Sequence, residues 1–291
     1  MSCARIDQVL TIKVPEPHSF FIAMCCRCDG CYMVINGGTN KILVYSEAGA
    51  LLQSNFGNSL FSKRITTPSL IAELNDKTLA VFDKSTNQVK KMSKNEELLK
   101  TFEIGMPTHS LNVNHYGHMI MAHTGSGNKR IVSIRDAATG FVLHFLEIPT
   151  HPYSNPDGPF YSIYQLPSNI LTLDQSSCTI AQHLLDGTVQ YNVSKQGFLQ
   201  GNLHNPSSIC ADIKGNVIVA DTRNDRVVRF MGDNMKYSET LISDVYRPLY
   251  VSIDKHDHLL ILTSKHILIY DYDIRAPLLF GNVPALIDGL L

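Results

Sequence analysis

The sequence contains no tryptophan, and none of its windows approaches the 18 uncharged apolar residues of a membrane-spanning helix. No membrane partner is expected. Its first residues, Met1-Ser2-Cys3-Ala4-Arg5-Ile6-Asp7, have neither a basic start nor an apolar h-region, which argues against a secretory signal and for a reducing, cytoplasmic compartment. Charge of one sign is also missing. With 25 Lys and Arg against 26 Asp and Glu, the formal net charge of −1 supplies no bulk attraction for DNA or an anionic membrane, so any electrostatic reading must come from distribution. Nowhere do amphipathic segments of roughly 10 to 15 residues separate the apolar runs, which excludes parallel βαβ repeats. No Gly-x-Ser-x-Gly elbow follows a strand-like run, which removes the case for Ser/His/Asp catalysis.

Cysteine is not scarce, but its pattern is unproductive. An odd count of seven argues against a disulfide framework. Four thiols fall in Cys25-Cys26-Arg27-Cys28-Asp29-Gly30-Cys31, a density that suggests zinc, yet no second Cys or His pair lies nearby. Neighbouring side chains of one hairpin point to opposite faces, so they cannot all ligate one tetrahedral ion. Neither a metal nor a cofactor is expected.

What is present is a repeat. Gly30 is followed six residues later by Asn36, Lys77 by Asp83, Gly117 by His123, Ser168 by Asp174, Gly215 by Asp221 and Asp257 by Thr263, each across an apolar stretch. The steps between Asn36, Asp83, His123, Asp174, Asp221 and Thr263 are 47, 40, 51, 47 and 42 residues, the length of a four-stranded antiparallel unit. In the fifth unit the strands are predicted at 207–213, 216–220 and 226–230, with a fourth around 240–243. The second strand of each unit is apolar on both faces and must be covered on both. Packing the sheets face to face around an axis does this for every unit. The expected fold is therefore an all-β, six-bladed β-propeller of four-stranded antiparallel blades, filling residues 1–291 as one domain. The approximate blades are 15–57, 67–105, 107–149, 155–200, 203–244 and 247–280 plus 8–14. The N-terminal strand is expected to close the last blade, with Leu278-Leu279-Phe280 as the alternative.

The six turn positions read as structural. Asp221 and Arg226 flank a four-residue loop and face each other across the hairpin, where opposite charges pair and an Asx oxygen accepts turn amides. Asp83 with Gln88, Asn36 with Lys41 and Asp174 with Thr179 keep that offset. His123 opens a longer turn containing Gly125-Ser126-Gly127-Asn128, which is no phosphate loop because no helix follows it.

The stretch from Asn205-Pro206-Ser207-Ser208-Ile209-Cys210 through Gly215-Asn216-Val217-Ile218-Val219-Ala220-Asp221 to Asn224-Asp225-Arg226-Val227-Val228-Arg229-Phe230 resembles an NHL repeat. The chain is similar to the six-bladed NHL propeller of tripartite-motif NHL proteins such as the Brat group. It has no RING array, B-box, coiled coil or filamin-like domain, so ubiquitin-ligase activity is not expected of it. The resemblance implies a monomeric module for single-stranded RNA or a protein partner.

In a propeller the turn between second and third strands shares a face with the loops linking blades. That face is expected to carry Lys41, Arg64, Lys84, Lys129, Arg130, Arg223, Arg226, Arg247 and Lys265, against Glu16, Asp157 and Asp225. Such a face would attract phosphates, and Tyr246, Tyr250, His109, Tyr153 or His204 could stack on bases. The expected site residues are Lys41, Arg64, Lys84, Lys129, Arg130, Arg223, Arg226 and Arg247. The alternatives are a pure protein-interaction scaffold and, third, a metal-dependent propeller enzyme of the lactonase or amidating-lyase kind. The last needs ligands converging from several blades, and the twelve histidines recur at no single repeat position. No enzyme is therefore expected.

Overall fold

The computed structural model describes residues 6–13, 20–54, 56, 58–59, 62–63, 65–149, 160–165 and 169–272. Within them are six four-stranded antiparallel sheets. Their first strands are Phe21–Cys26, Pro68–Glu73, Thr108–Val113, Phe160–Gln165, Ser208–Ala211 and Tyr250–Ile253. These six touch one another in a closed ring, each meeting the first strand of the blades before and after it. They are the innermost strands, and the sheets radiate from them as a six-bladed propeller.

The second strands are Tyr32–Asn36, Leu79–Asp83, Met119–Thr124, Asn169–Asp174, Val217–Asp221 and His258–Leu262, and they are buried along almost their whole length. Their two-sided apolar sequences are explained by six apolar clusters, one at each junction between neighbouring blades. Val217 and Val219, for example, pack against the fourth blade, whereas Ile218 and Ala220 pack against the sixth. Alternation along one strand thus serves two interfaces.

The third strands are Lys41–Tyr45, Gln88–Met92, Arg130–Arg135, Thr179–Leu184, Arg226–Phe230 and His266–Asp271. The outermost strands are Leu51–Gln53, Leu98–Glu103, Val142–Ile148, Val189–Ser194, Tyr237–Ile242 and, in the sixth blade, Gln8–Lys13. That N-terminal strand pairs antiparallel with His266–Asp271, Thr11 opposite Leu268 and Lys13 opposite His266. The expected closure is observed, and Leu278 to Phe280 lie outside the described residues. In the fifth blade the first strand is shorter than predicted and the second ends at Asp221 itself.

The repeat has a backbone cause. Gly30, Lys77, Gly117, Gly215 and Asp257 all have left-handed φ, at 87°, 64°, 83°, 79° and 63°, in the turn joining first and second strands. Ser168, the sixth, lies outside the described residues. Glycine meets this demand without cost and most other side chains do not. Among the described residues no helix is long and apolar enough to cross a membrane.

Candidate functional site

The first strands of all blades run away from the face that carries the blade-linking loops and the second-to-third-strand turns. On that face the turn carboxylates do more than cap their own turns. Asp83, fully buried, accepts hydrogen bonds from the Thr66 and Thr67 amides at 2.8 and 3.0 Å, both in the incoming link, and from Ser85 and Lys90 in its own hairpin. Asp221, also fully buried, accepts the His204 amide at 2.7 Å with one oxygen, and Asn224 Nδ2 and Arg226 Nε with the other. Its carboxylate takes no backbone amide of the Thr222–Asn224 turn that follows, which corrects the expectation of a self-capping turn. The motif staples the arriving chain to the hairpin it enters. Asn36 and Asp174 do cap their own turns, accepting amides two and three residues on. His123 instead bridges the Thr108 and Ser133 hydroxyls at 3.0 and 2.7 Å, and Thr263 accepts the His266 amide at 2.9 Å.

The basic residues divide. Arg130 is 1% exposed, with its guanidinium 3.9 Å from Asp174 of the next blade, so it lies inside a blade junction and not on the surface expected of it. Arg226 is half-buried and committed to Asp221 and to the Leu199 and Asn202 carbonyls. Lys129 is exposed but pairs with Glu147 at 2.9 Å, and Lys41 is half-buried. Arg64, Glu16, Tyr153 and Asp157 lie outside the described residues. Lys84, Arg223, Arg247 and Lys265 are exposed. Among the described residues Lys84, Arg223 and Arg247 make no ion pair. Asp225 is half-buried and accepts the Arg247 amide at 2.7 Å, which holds Arg247 at φ 48°. Tyr246 beside it is 70% exposed, whereas His204 packs edge-on against Phe198.

At the centre of the same face lies a cavity of roughly 760 Å³, lined by the beginnings of the inner strands, by Lys84 and Asn87 from the second-to-third-strand turn of blade two and by Gln175 from that of blade four. Besides Gln175 of blade four, it reaches blades one, two, three, five and six through Phe20, Ser69, His109, Ser208 and Tyr250. No Asp or Glu is among its described lining residues. His109 shares a hydrogen bond of 2.9 Å with Thr124, and burial, reinforced by Arg130 and Lys84, depresses its pKa below the ordinary histidine range. The imidazole is therefore neutral near pH 7, able to exchange hydrogen bonds but carrying no charge. Sequence reasoning singled out His109 and Tyr250 as stacking groups, and His109 among the histidines weighed for an axial metal, but missed the cavity. The available signal was a small polar residue near the start of several first strands: Ser69, Thr108 and Ser208.

The opposite face holds the cysteine hairpin. Cys25 and Cys31 pack towards the junction with blade two, Cys26 towards that with blade six, and Cys28 is exposed. Neighbouring thiols diverge as the strand requires. Burial pushes the Cys26 thiol up to about 12, with Asp254 and Glu73 adding to it, and among the described residues no three metal-ligating groups converge.

Comparisons with known proteins place the architecture. The model of a family of unknown function, DUF5711, matches residues 33–148, less than half of the chain. No curated protein matches the sequence. The fold is shared with lyases. A catalytically inactive histidine-to-alanine variant of virginiamycin B lyase from Staphylococcus aureus, with quinupristin, superposes with a TM-score of 0.64 at 9% identity, over 92% of this chain and 99% of that one. A streptogramin B lyase gives 0.61 at 12% identity over 92% and 97%, and a protein of unknown function from Bacteroides caccae gives 0.58 at 13% over 84% and 82%. The lyases among these neighbours correct the expectation that the chain is no enzyme to this extent: the same fold carries enzymes, so the fold gives that expectation no support. That expectation rested on the lack of a repeated ligand position, but an axial cavity collects different residues from different blades and needs no repetition.

Proposed function

We propose that the turn face of this propeller recognises single-stranded RNA in the cytoplasm. One observation carries the reading: in a protein of formal net charge −1, Lys84, Arg223 and Arg247 stand exposed on one face and, among the described residues, none makes an ion pair. Unneutralised cations on a common face attract phosphates, and Arg offers bidentate contact. Tyr246, 70% exposed and adjacent to Arg247, supplies the flat surface on which a base stacks. The resemblance of residues 205–230 to an NHL repeat supports the same reading.

The test is binding of the purified chain to a random single-stranded RNA pool at two salt concentrations, beside the Arg223→Glu/Arg247→Glu variant. Binding should weaken with salt, and the variant should lose at least about tenfold in affinity and about 2 in the log–log salt slope. Both substitutions are at exposed positions, so an unchanged thermal midpoint is expected as the folding control. No binding at low salt, or equal binding by the variant, overturns RNA recognition and turns the search to acidic protein partners.

A further inference from the structure

The axial cavity is chemically two-sided. Towards blades one and six its wall is apolar, with Phe20 and Ile22 leaving 45% and 38% of their surface uncovered and Leu249 beside them. Gly37 makes this wall possible, since a Cβ there would fall 2.5 Å from the Phe20 ring and 2.8 Å from Ile22. Towards blades two and three the wall is mixed: Leu70, Ile71, Phe82 and Leu111 share it with the polar and cationic groups, Lys84 at the rim, then His109, Ser110 and Asn112. The volume, roughly 760 Å³, is that of a small-molecule site, and apolar walls with a few convergent polar groups are the usual form of one.

We propose that this cavity binds a small organic anion with an apolar body, its carboxylate or phosphate head towards Lys84 and His109 and its hydrocarbon on Phe20, Ile22 and Leu249. Three observations select that class. No carboxylate lines the described wall, so an anionic head meets no like charge. Lys84 makes no ion pair among the described residues, so binding need not first break one. A neutral His109 can donate to the head through a ring nitrogen, provided its tautomer adjusts at Thr124. A cation would find no carboxylate among the described lining residues and would meet the repelling ammonium of Lys84. The apolar surface gains by being covered whatever the head.

The absence of tryptophan supplies the assay. Phe20→Trp, at a partly exposed aromatic position, places a single indole in the cavity wall. Its emission is followed while decanoate, decyl phosphate and decyltrimethylammonium are titrated below their micellar concentrations. A saturable one-to-one change with either anion, at least tenfold weaker with the cation, supports the proposal, and the preferred anion names the head group. Adding Lys84→Gln should weaken the anion at least tenfold, while Arg223→Glu/Arg247→Glu should leave it unchanged, which separates this site from the Arg223 and Arg247 part of the RNA surface. Equilibrium dialysis of labelled decanoate against the unaltered chain makes the same measurement without the indole. No saturable binding by either method, equal affinity for the cation, or indifference to Lys84→Gln would overturn the proposal.

Discussion

Left-handed turn positions show how much of this fold is decided by single residues. At Gly215 a Cβ would meet nothing within 4 Å, so Gly215→Ala carries only the backbone penalty of φ 79° and should cost about 1 kcal/mol. At Gly117 the same Cβ would lie 2.9 Å from Asn75 Nδ2, so Gly117→Ala adds a displaced side chain and should cost more. Urea unfolding of the two variants checks the order, and equal costs would discard the steric part. His123 sets a different residue-scale effect. Burial, with repulsion from Arg135 and His109, pushes its pKa down to about 3 from the ordinary 6.5. Between those values the unfolded chain binds a proton that the folded one refuses, so stability must fall as pH drops from about 6.5 towards 3, by up to about 1.4 kcal/mol per unit. Asp83 acts in a separate window. Burial raises its carboxyl, but hydrogen bonds from Lys90, Thr66, Ser85 and Thr67 outweigh it and leave the pKa at about 2, so its contribution is lost only below about pH 4. Urea midpoints at pH 7 and pH 5 should differ clearly for the native chain and less for His123→Asn.

Among elements, the unit that holds is the hairpin together with the link entering it. Asp221→Ala removes the acceptor of the His204 amide and strands the half-buried Arg226, and should cost about 3 kcal/mol, where a turn cap alone would cost nearer 1. Asp221→Asn keeps an amide acceptor and should lie between the two. A cost near 1 for the alanine variant, measured by denaturant unfolding, would reduce the staple to a cap. This element also marks how far the sequence could be read. The six-residue register from Gly215 to Asp221 is local, because a left-handed turn, a short buried strand and a polar turn residue all leave their mark within one hairpin. The link's amides lie 16 and 17 residues before the carboxylates of Asp83 and Asp221 that take them, and nothing in a hairpin announces so distant a donor. Arg130 was misplaced for a related reason. It opens a third strand like Arg226, but faces Asp174 across a blade junction, a relation that exists only after the ring has formed. The cavity is further still from the sequence, since each blade contributes only one to a few residues and only closure brings them together.

Closure is therefore the whole-molecule property on which the site depends. Blade six takes its outer strand from residues 8–13 and its other three from 250–271, so both ends of the described chain meet in one sheet. Ile12, 4% exposed, sits in the cluster between blades six and one with Phe21, Met24, Leu260 and Ile267. Replacing it with Asp buries an unpaired charge at the seam, which the strand can avoid only by leaving the sheet. In a ring, losing that strand uncovers one edge and weakens the junction on either side of it. In an open row of blades it would fray one end alone. Hydrogen exchange on Ile12→Asp should thus rise not only in residues 8–13 but also in 21–36 and 258–271, with residues 119–135 on the far side changing least. Because Phe20 and Tyr250 flank that seam, decanoate binding in the axial cavity should weaken in the same variant while the distant Lys84 and His109 stay in place. Exchange confined to residues 8–13 would mean that the N-terminal strand decorates the ring without closing it.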